Sequence, residues 1–525
     1  MLLVVALAST AAAEPDQRDV RSGKYKSYND NLPGANAQKQ NELRQQALIA
    51  KLRGKAKGKK VEVSAGQYVQ LSREGTDRIF VLLVEFGNRR HASFCDAVDT
   101  DPAPPNPCAF PADGSAATYE GPENNKIPQP DRSVDNSTLW NADYNKPHYE
   151  DMYFNRMKAY YERQSSGRYS IAGGVHGWVQ VPFNEARYGR DFSGSIVCSN
   201  VWFLIRDGLA YWVQDELATG RSMASIQDEL RSYDVEDRYD SDFDGNFREP
   251  DGFIDHFQIV HAGGDQAASD PSQGTDAIWS HRSQVGLETG PGVNPGVEVG
   301  RGGVSSGVTI PTNLTGMWVG DYTIQPENGG LGVFAHEYAH DLGLPDLYDT
   351  SGNTGGTENN TAFWTLMSSG ANIGDGGVDG IGDDPVDMGA WEKFQLGWLG
   401  CETCDGGRTY DAVLAGGPKT QHQLAPASKQ NFVKGKEAQA LFVVLPELTK
   451  TFDVGPAASG QYYYWSRSGN DLKTWMTKPI SYAAGATLSA EDQVRHRGAL
   501  GLRIHRGLVG QRSDLDGNRG PRPLR

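Results

Sequence analysis

The sequence predicts an α+β fold: a mixed sheet crossed by helices over most of the chain, then a partial β-sandwich. Three observations carry this. The run Ile79-Phe80-Val81-Leu82-Leu83-Val84-Glu85-Phe86 is apolar at all but one position, as in a central strand buried on both faces. Helix-spaced and strand-alternating stretches then succeed one another up to residue 342. Past Gly400 the helical spacing stops, and short apolar runs separated by Gly, Pro and Ser take over.

The elements follow in order. Residues 1–13 hold an apolar run and end in Ala11-Ala12-Ala13, which predicts a secretory signal peptide cleaved after Ala13, although the usual basic start is missing. Residues 14–75 are polar and rich in Lys, Arg and Gln, and are expected to form a prosegment. Within it, residues 36–52 place Leu43, Ala47, Leu48 and Leu52 on one helical stripe. The prosegment has no cysteine, so a thiolate from it cannot block a metal, whereas a carboxylate could. The main domain is expected over residues 76–400. It holds a helix over 149–164, through Tyr153, Met157 and Tyr161, and a strand at Trp178-Val179-Gln180-Val181. A helix over 198–217, a strand over 253–261 and a helix over 330–342 complete it. Residues 401–525 form a β-rich domain, with strands at Ala440-Leu441-Phe442-Val443-Val444-Leu445 and Gln461-Tyr462-Tyr463-Tyr464-Trp465. That domain is incomplete, because after about residue 490 an Arg- and Gly-rich basic tail replaces strand alternation, as a shifted reading frame would.

Composition narrows the class. With 66 Asp and Glu against 50 Lys and Arg in 525 residues, the chain is acidic, which argues against nucleic acid or an anionic membrane as partner. No stretch beyond the N-terminus approaches the roughly 18 apolar residues that span a bilayer. Of the five cysteines, Cys95 with Cys108 and Cys401 with Cys404 could pair after export, with Cys198 left over, or all could remain thiols.

The chemistry concentrates in His336-Glu337-Tyr338-Ala339-His340-Asp341-Leu342-Gly343-Leu344-Pro345-Asp346. Four residues apart on a helix, His336 and His340 project toward one point, as two ligands of a tetrahedral zinc do. Glu337 lies between them, beside the position of a metal-bound water, where a general base belongs. Gly343 permits a sharp exit from the helix, and Asp346 follows as an oxygen ligand able to close the set. A second metal signal is Asp240-Ser241-Asp242-Phe243-Asp244-Gly245 with Asp251. Its alternate carboxylates and turn glycine suit a calcium loop without the second helix of an EF-hand.

The HExxHxxGxxD pattern resembles the metzincin zinc peptidases, in which an aspartate sometimes replaces the third histidine. That likeness implies a zincin/metzincin-like domain with Met367, in Phe363-Trp364-Thr365-Leu366-Met367-Ser368-Ser369-Gly370, as the methionine turn beneath the zinc. More widely, the opening strand, Tyr160-Tyr161-Glu162-Arg163-Gln164-Ser165-Ser166-Gly167-Arg168-Tyr169, Asp276-Ala277-Ile278-Trp279-Ser280-His281, Ala390-Trp391-Glu392-Lys393 and Leu396-Gly397-Trp398 resemble the immune inhibitor A family of secreted metallopeptidases. The resemblance implies zinc on His336, His340 and Asp346, with Glu337 as base, and leaves Glu392 as a rival third ligand. It further implies a secreted zymogen that cleaves protein or peptide substrates as a monomer, the extended substrate lying beside a sheet edge. The competing class is a non-catalytic binding or adhesive protein with a structural zinc, against which the intact Glu337 speaks.

Overall fold

The computed structural model describes residues 29–89, 91, 120–191, 195–268, 270, 273–274, 276–350, 361–374, 380–400, 409–428 and 437–446, and the backbone of 488–494 and 503–509. The expected signal peptide, the strand at 461–465, residues 495–502 and 510–525 of the expected basic tail, and Cys95, Cys108, Cys401 and Cys404 lie outside the described residues. Cys198 is buried, its Sγ 3.4 Å from Ser195 O.

The chain divides into two compact units, Met1–Pro446 and Glu447–Arg525. In the second, Leu488–Val494 and Arg503–Val509 pair antiparallel, so a strand stands within the stretch expected to be a tail without strands. The first begins with helix α1 (Ala35–Leu52) and the hairpin β1 (Lys60–Ser64) and β2 (Gln67–Gln70). The stripe expected on α1 is buried: Leu43, Ala47 and Leu48 pack with Val69, Leu71, Phe394 and Leu399.

A five-stranded mixed sheet forms the centre. Its strands are β3 (Gly75–Arg89), β4 (Tyr169–Phe183), β5 (His256–His261), β6 (His281–Gln284) and, after several short strands, β12 (Asp321–Pro326). Those short strands are Glu288–Thr289 (β7), Pro295–Glu298 (β8), Gly303–Ser305 (β9), Val308–Ile310 (β10) and Trp318–Val319 (β11). The order is β4-β3-β5-β12-β6, parallel except for β6, which runs antiparallel to β12 and forms an edge.

Strand β3 is buried on both faces because helices cover both. Phe80, Leu82 and Val84 face α5 (Val201–Ala218) through Leu204, Ile205, Leu209 and Trp212. Short helices α4 (Ala186–Gly189) and α6 (Met223–Arg231) flank α5 in the chain. Ile79, Val81 and Leu83 face the other way, toward α2 (Lys146–Asp151), a π-helical turn (Met152–Met157), α3 (Lys158–Ser165) and α7 (Leu331–Asp341). Each fully buried Leu, Ile or Phe in these layers contributes roughly 1.5–3 kcal/mol of apolar transfer.

Helix α8 (Ala390–Leu396) follows, and β13 (Asp411–Leu414) pairs in parallel with β14 (Leu441–Val444). Ala440, Tyr410 and Phe442 join the cluster of α1 and α8. These residues belong to the compact unit that ends at Pro446.

Candidate metal centre

Helix α7 has two chemically distinct sides. Leu331, Phe334, Ala335, Tyr338, Ala339 and Leu342 recur at helical spacing and pack into the core. His336, Glu337 and His340 take the opposite side, also buried. The packing is close: a Cβ on Gly332 would meet the Ala371 carbonyl oxygen at 1.8 Å. Tyr161 Oη donates to Ala335 O at 2.6 Å, and the hydroxyls of Tyr169 and Tyr338 bond at 2.5 Å.

The helix ends as the sequence predicts. Gly343 adopts φ +96°, and its N–H donates to His340 O at 2.9 Å. The turn brings Asp346 back beside the histidines, and Leu347 N fixes it by donating to Met367 O at 2.8 Å. Asp346 Oδ1 lies 3.5 Å from His336 Nε2 and 3.2 Å from His340 Nε2. The histidines present Nε2 because Nδ1 is engaged elsewhere: His336 Nδ1 is 2.9 Å from Leu366 O, and His340 Nδ1 is 2.8 Å from Leu344 O. A neutral ring donating Nδ1–H to a carbonyl leaves the Nε2 lone pair for a metal.

A fourth group converges on the same point. Asp30, from the segment ahead of α1, has its ligand oxygen within 4.8 Å of those of His336, His340 and Asp346. His340 Nε2, Asp346 Oδ1 and Asp30 Oδ1 are buried without a hydrogen-bond partner, as is Glu337 Oε2. A zinc with bonds of about 2.0–2.1 Å sets ligand-to-ligand edges of roughly 3.3 Å, so this donor set fits the ion. Burial, with Asp30 and Asp346 nearby, pushes the Glu337 carboxyl well above the ordinary carboxylate range, against the pull of His336.

Glu392 points elsewhere. Its Oε2 accepts from Gly389 N at 2.5 Å, capping its own helix, and its Oε1 accepts from the Thr365 hydroxyl. Met367 is buried in the core beneath α7, in the same turn as the Leu366 carbonyl that meets His336.

In the second acidic loop, Asp240, Asp242 and Asp244 converge, and Asp242 also groups with Asp237 and Glu249. Asp251 does not join either group: the sequence places it at the twelfth loop position, but its Oδ1 accepts from Phe253 N at 2.9 Å. Gly245 has φ +76° and donates its N–H to Asp240 Oδ1 at 2.7 Å.

Three features were not anticipated. Asp30 and its partner Tyr348, whose Oη donates to Asp30 Oδ2 at 2.8 Å, carry no motif that singles them out. Asp341 is inside the motif but received no role; it holds the end of α7 by pairing with Arg238 at 2.9 Å and with His256. Burial alone would lower the His256 imidazole, but Asp341, then Asp77, outweigh it and raise it to about 10. Asp77, Glu236 and His256 also converge, yet Arg248 and Arg73 reach Glu236 at 2.6 and 3.2 Å, so that group is neutralised by the chain itself.

Residues 65–399 match the catalytic domain of the immune inhibitor A peptidase family M6. The chain is 34% identical over 360 residues to the pre-pro-metalloprotease PrtV of two strains of Vibrio cholerae serotype O1, covering 65% of this chain and 35% of PrtV. It is 33% identical over 372 residues to immune inhibitor A of Bacillus thuringiensis subsp. alesti, covering 67% of this chain and 49% of that protein. The aligned region thus spans between a third and a half of these relatives' length. On the domain match and these identities, the chain belongs to the immune inhibitor A peptidase family, M6.

Proposed function

We propose that this chain is a zinc endopeptidase that cleaves peptide bonds in proteins, exported and made as a zymogen. The observation that carries the reading is the convergence of His336 Nε2, His340 Nε2 and Asp346 Oδ1 beside the unpartnered Glu337 Oε2. Zinc, when bound there, supplies Lewis acidity and a water whose pKa falls toward about 7.

Glu337 takes a proton from the attacking water, holds it, and returns it to the departing amine nitrogen. Its Oε2 is buried and has no other hydrogen-bond partner, which leaves it available to that proton. The edge strand β6 offers main-chain groups to an extended substrate, which would lie along it as an added strand. The turn carrying Met367 serves as the metzincin-type floor, keeping His336 oriented through the Leu366 carbonyl. Calcium at the Asp240–Asp242–Asp244 loop is the structural ion of this reading. No helix among the described residues is long and apolar enough to cross a membrane. Export rests on the N-terminal apolar run.

Azocasein hydrolysis, after removal of the prosegment, tests the reading with and without a chelator. Glu337→Gln is expected to keep its zinc and lose activity by roughly a thousandfold. Chelator-insensitive cleavage, or full activity in the mutant, refutes the mechanism; stoichiometric zinc with no cleavage by the wild type favours a binding protein.

A further inference from the structure

The stretch ahead of α1 occupies two places that the proposed reaction needs. Its main chain runs parallel to edge strand β6: Arg282 N donates to Asp30 O, and Leu32 N donates to Arg282 O, each at 2.8 Å. Asn31 Nδ2 reaches Leu344 O at 3.4 Å, in the turn between Gly343 and Asp346. The side chain of Asp30 enters the metal centre, with Oδ1 3.8 Å from His340 Nε2.

The placement is built rather than incidental. Tyr348 holds the second oxygen of Asp30, leaving Oδ1 buried and without a hydrogen-bond partner. Downstream, Arg44 Nη1 donates to Leu342 O at 3.1 Å, and Gln40 Nε2 to Tyr239 O at 3.0 Å. The apolar stripe of α1 fastens the same segment to α8. Two carboxylates, Asp30 and Asp346, approach each other here beside His336 and His340, an arrangement that a divalent cation makes favourable.

We propose that Asp30 is a fourth, inhibitory metal ligand. Resting on the zinc reading above, the proposal is that the Asp30 carboxylate fills the coordination position needed by the reacting water. The 29–33 segment meanwhile covers β6, where substrate would add. The chain in this form is latent, and displacement of the segment opens both places together.

The test uses the full chain and two variants, Asp30→Ala and the isosteric Asp30→Asn. Metal content is measured first, then the affinity of acetohydroxamate by calorimetry and the visible spectrum of the cobalt-substituted protein. Asp30→Ala is expected to retain its metal, bind acetohydroxamate at least roughly tenfold more tightly and shift the cobalt bands, because a masked site weakens apparent affinity by its open fraction. Asp30→Asn should move the same way while keeping the local fold. Unchanged affinity and spectra in both metal-loaded variants overturn the role of Asp30 and leave the zinc reading standing. Failure of the wild-type chain to bind zinc or cobalt overturns both.

Discussion

Arg44 on α1 donates to the main-chain oxygen of Leu342 at 3.1 Å, at the point where the chain leaves α7 through Gly343. Helix α1 thus caps the turn that leads to Asp346. A Cβ at Gly343 would lie 2.5 Å from Arg44 Nη1 and demand φ +96° of an L-residue. Gly343→Ala is expected to cost about 1–3 kcal/mol in urea unfolding and to speed zinc loss on dialysis against chelator. Wild-type values in both measurements would show that the turn tolerates a side chain.

The identity of the third ligand can be decided with two substitutions. Asp346→Ala should weaken zinc binding by at least roughly a hundredfold, as loss of a direct ligand implies. Glu392→Gln should keep its zinc and lose about 0.5–2 kcal/mol of stability, since it weakens the cap of α8. The opposite pattern in metal analysis would make Glu392 the ligand.

Acid should destabilise the fold through histidines that the site does not use. Burial lowers both His261 and His281 to about 4 in the folded protein. An unfolded histidine titrates near 6.5, so the unfolded chain gains protons first as pH falls. Their contribution is full above about pH 6.5 and is lost as pH drops through about 4, on the order of 3 kcal/mol each at most. Thermal midpoints between pH 7.5 and 4 should fall less steeply in a His261→Gln/His281→Gln double variant; an unchanged slope would reject this origin.

Calcium should raise the thermal midpoint of zinc-loaded protein through the Asp240–Asp242–Asp244 loop. At a hundredfold excess over its Kd, a native-state ligand adds about 2.7 kcal/mol. Asp242→Asn with Asp244→Asn should abolish the shift. A midpoint indifferent to calcium in the wild type would leave the loop a solvated turn.

Local pattern made a great deal legible. The apolar run of β3, the stripe on α1 and the periodicity of α7 are short-range consequences of burial, so they can be read before any contact is known. Gly343 was legible because only a turn with positive φ explains a glycine at the end of such a helix. Short elements such as β6, β12 and α8 were not, since runs of four to seven residues carry too little periodicity.

The sequence by itself determined the chemistry of α7: two histidines on one side, a glutamate between them and an aspartate after a glycine turn. Tertiary structure alone decided which carboxylates reach the histidines. Asp346 converges, Glu392 turns back to cap its own helix, and Asp251 leaves the acidic loop to meet Phe253. It also brought Asp30 across more than three hundred positions of chain to His340. The physical reason is that ligand geometry depends on where packed helices and strands end. Those endpoints come from long-range burial, which no local spacing records.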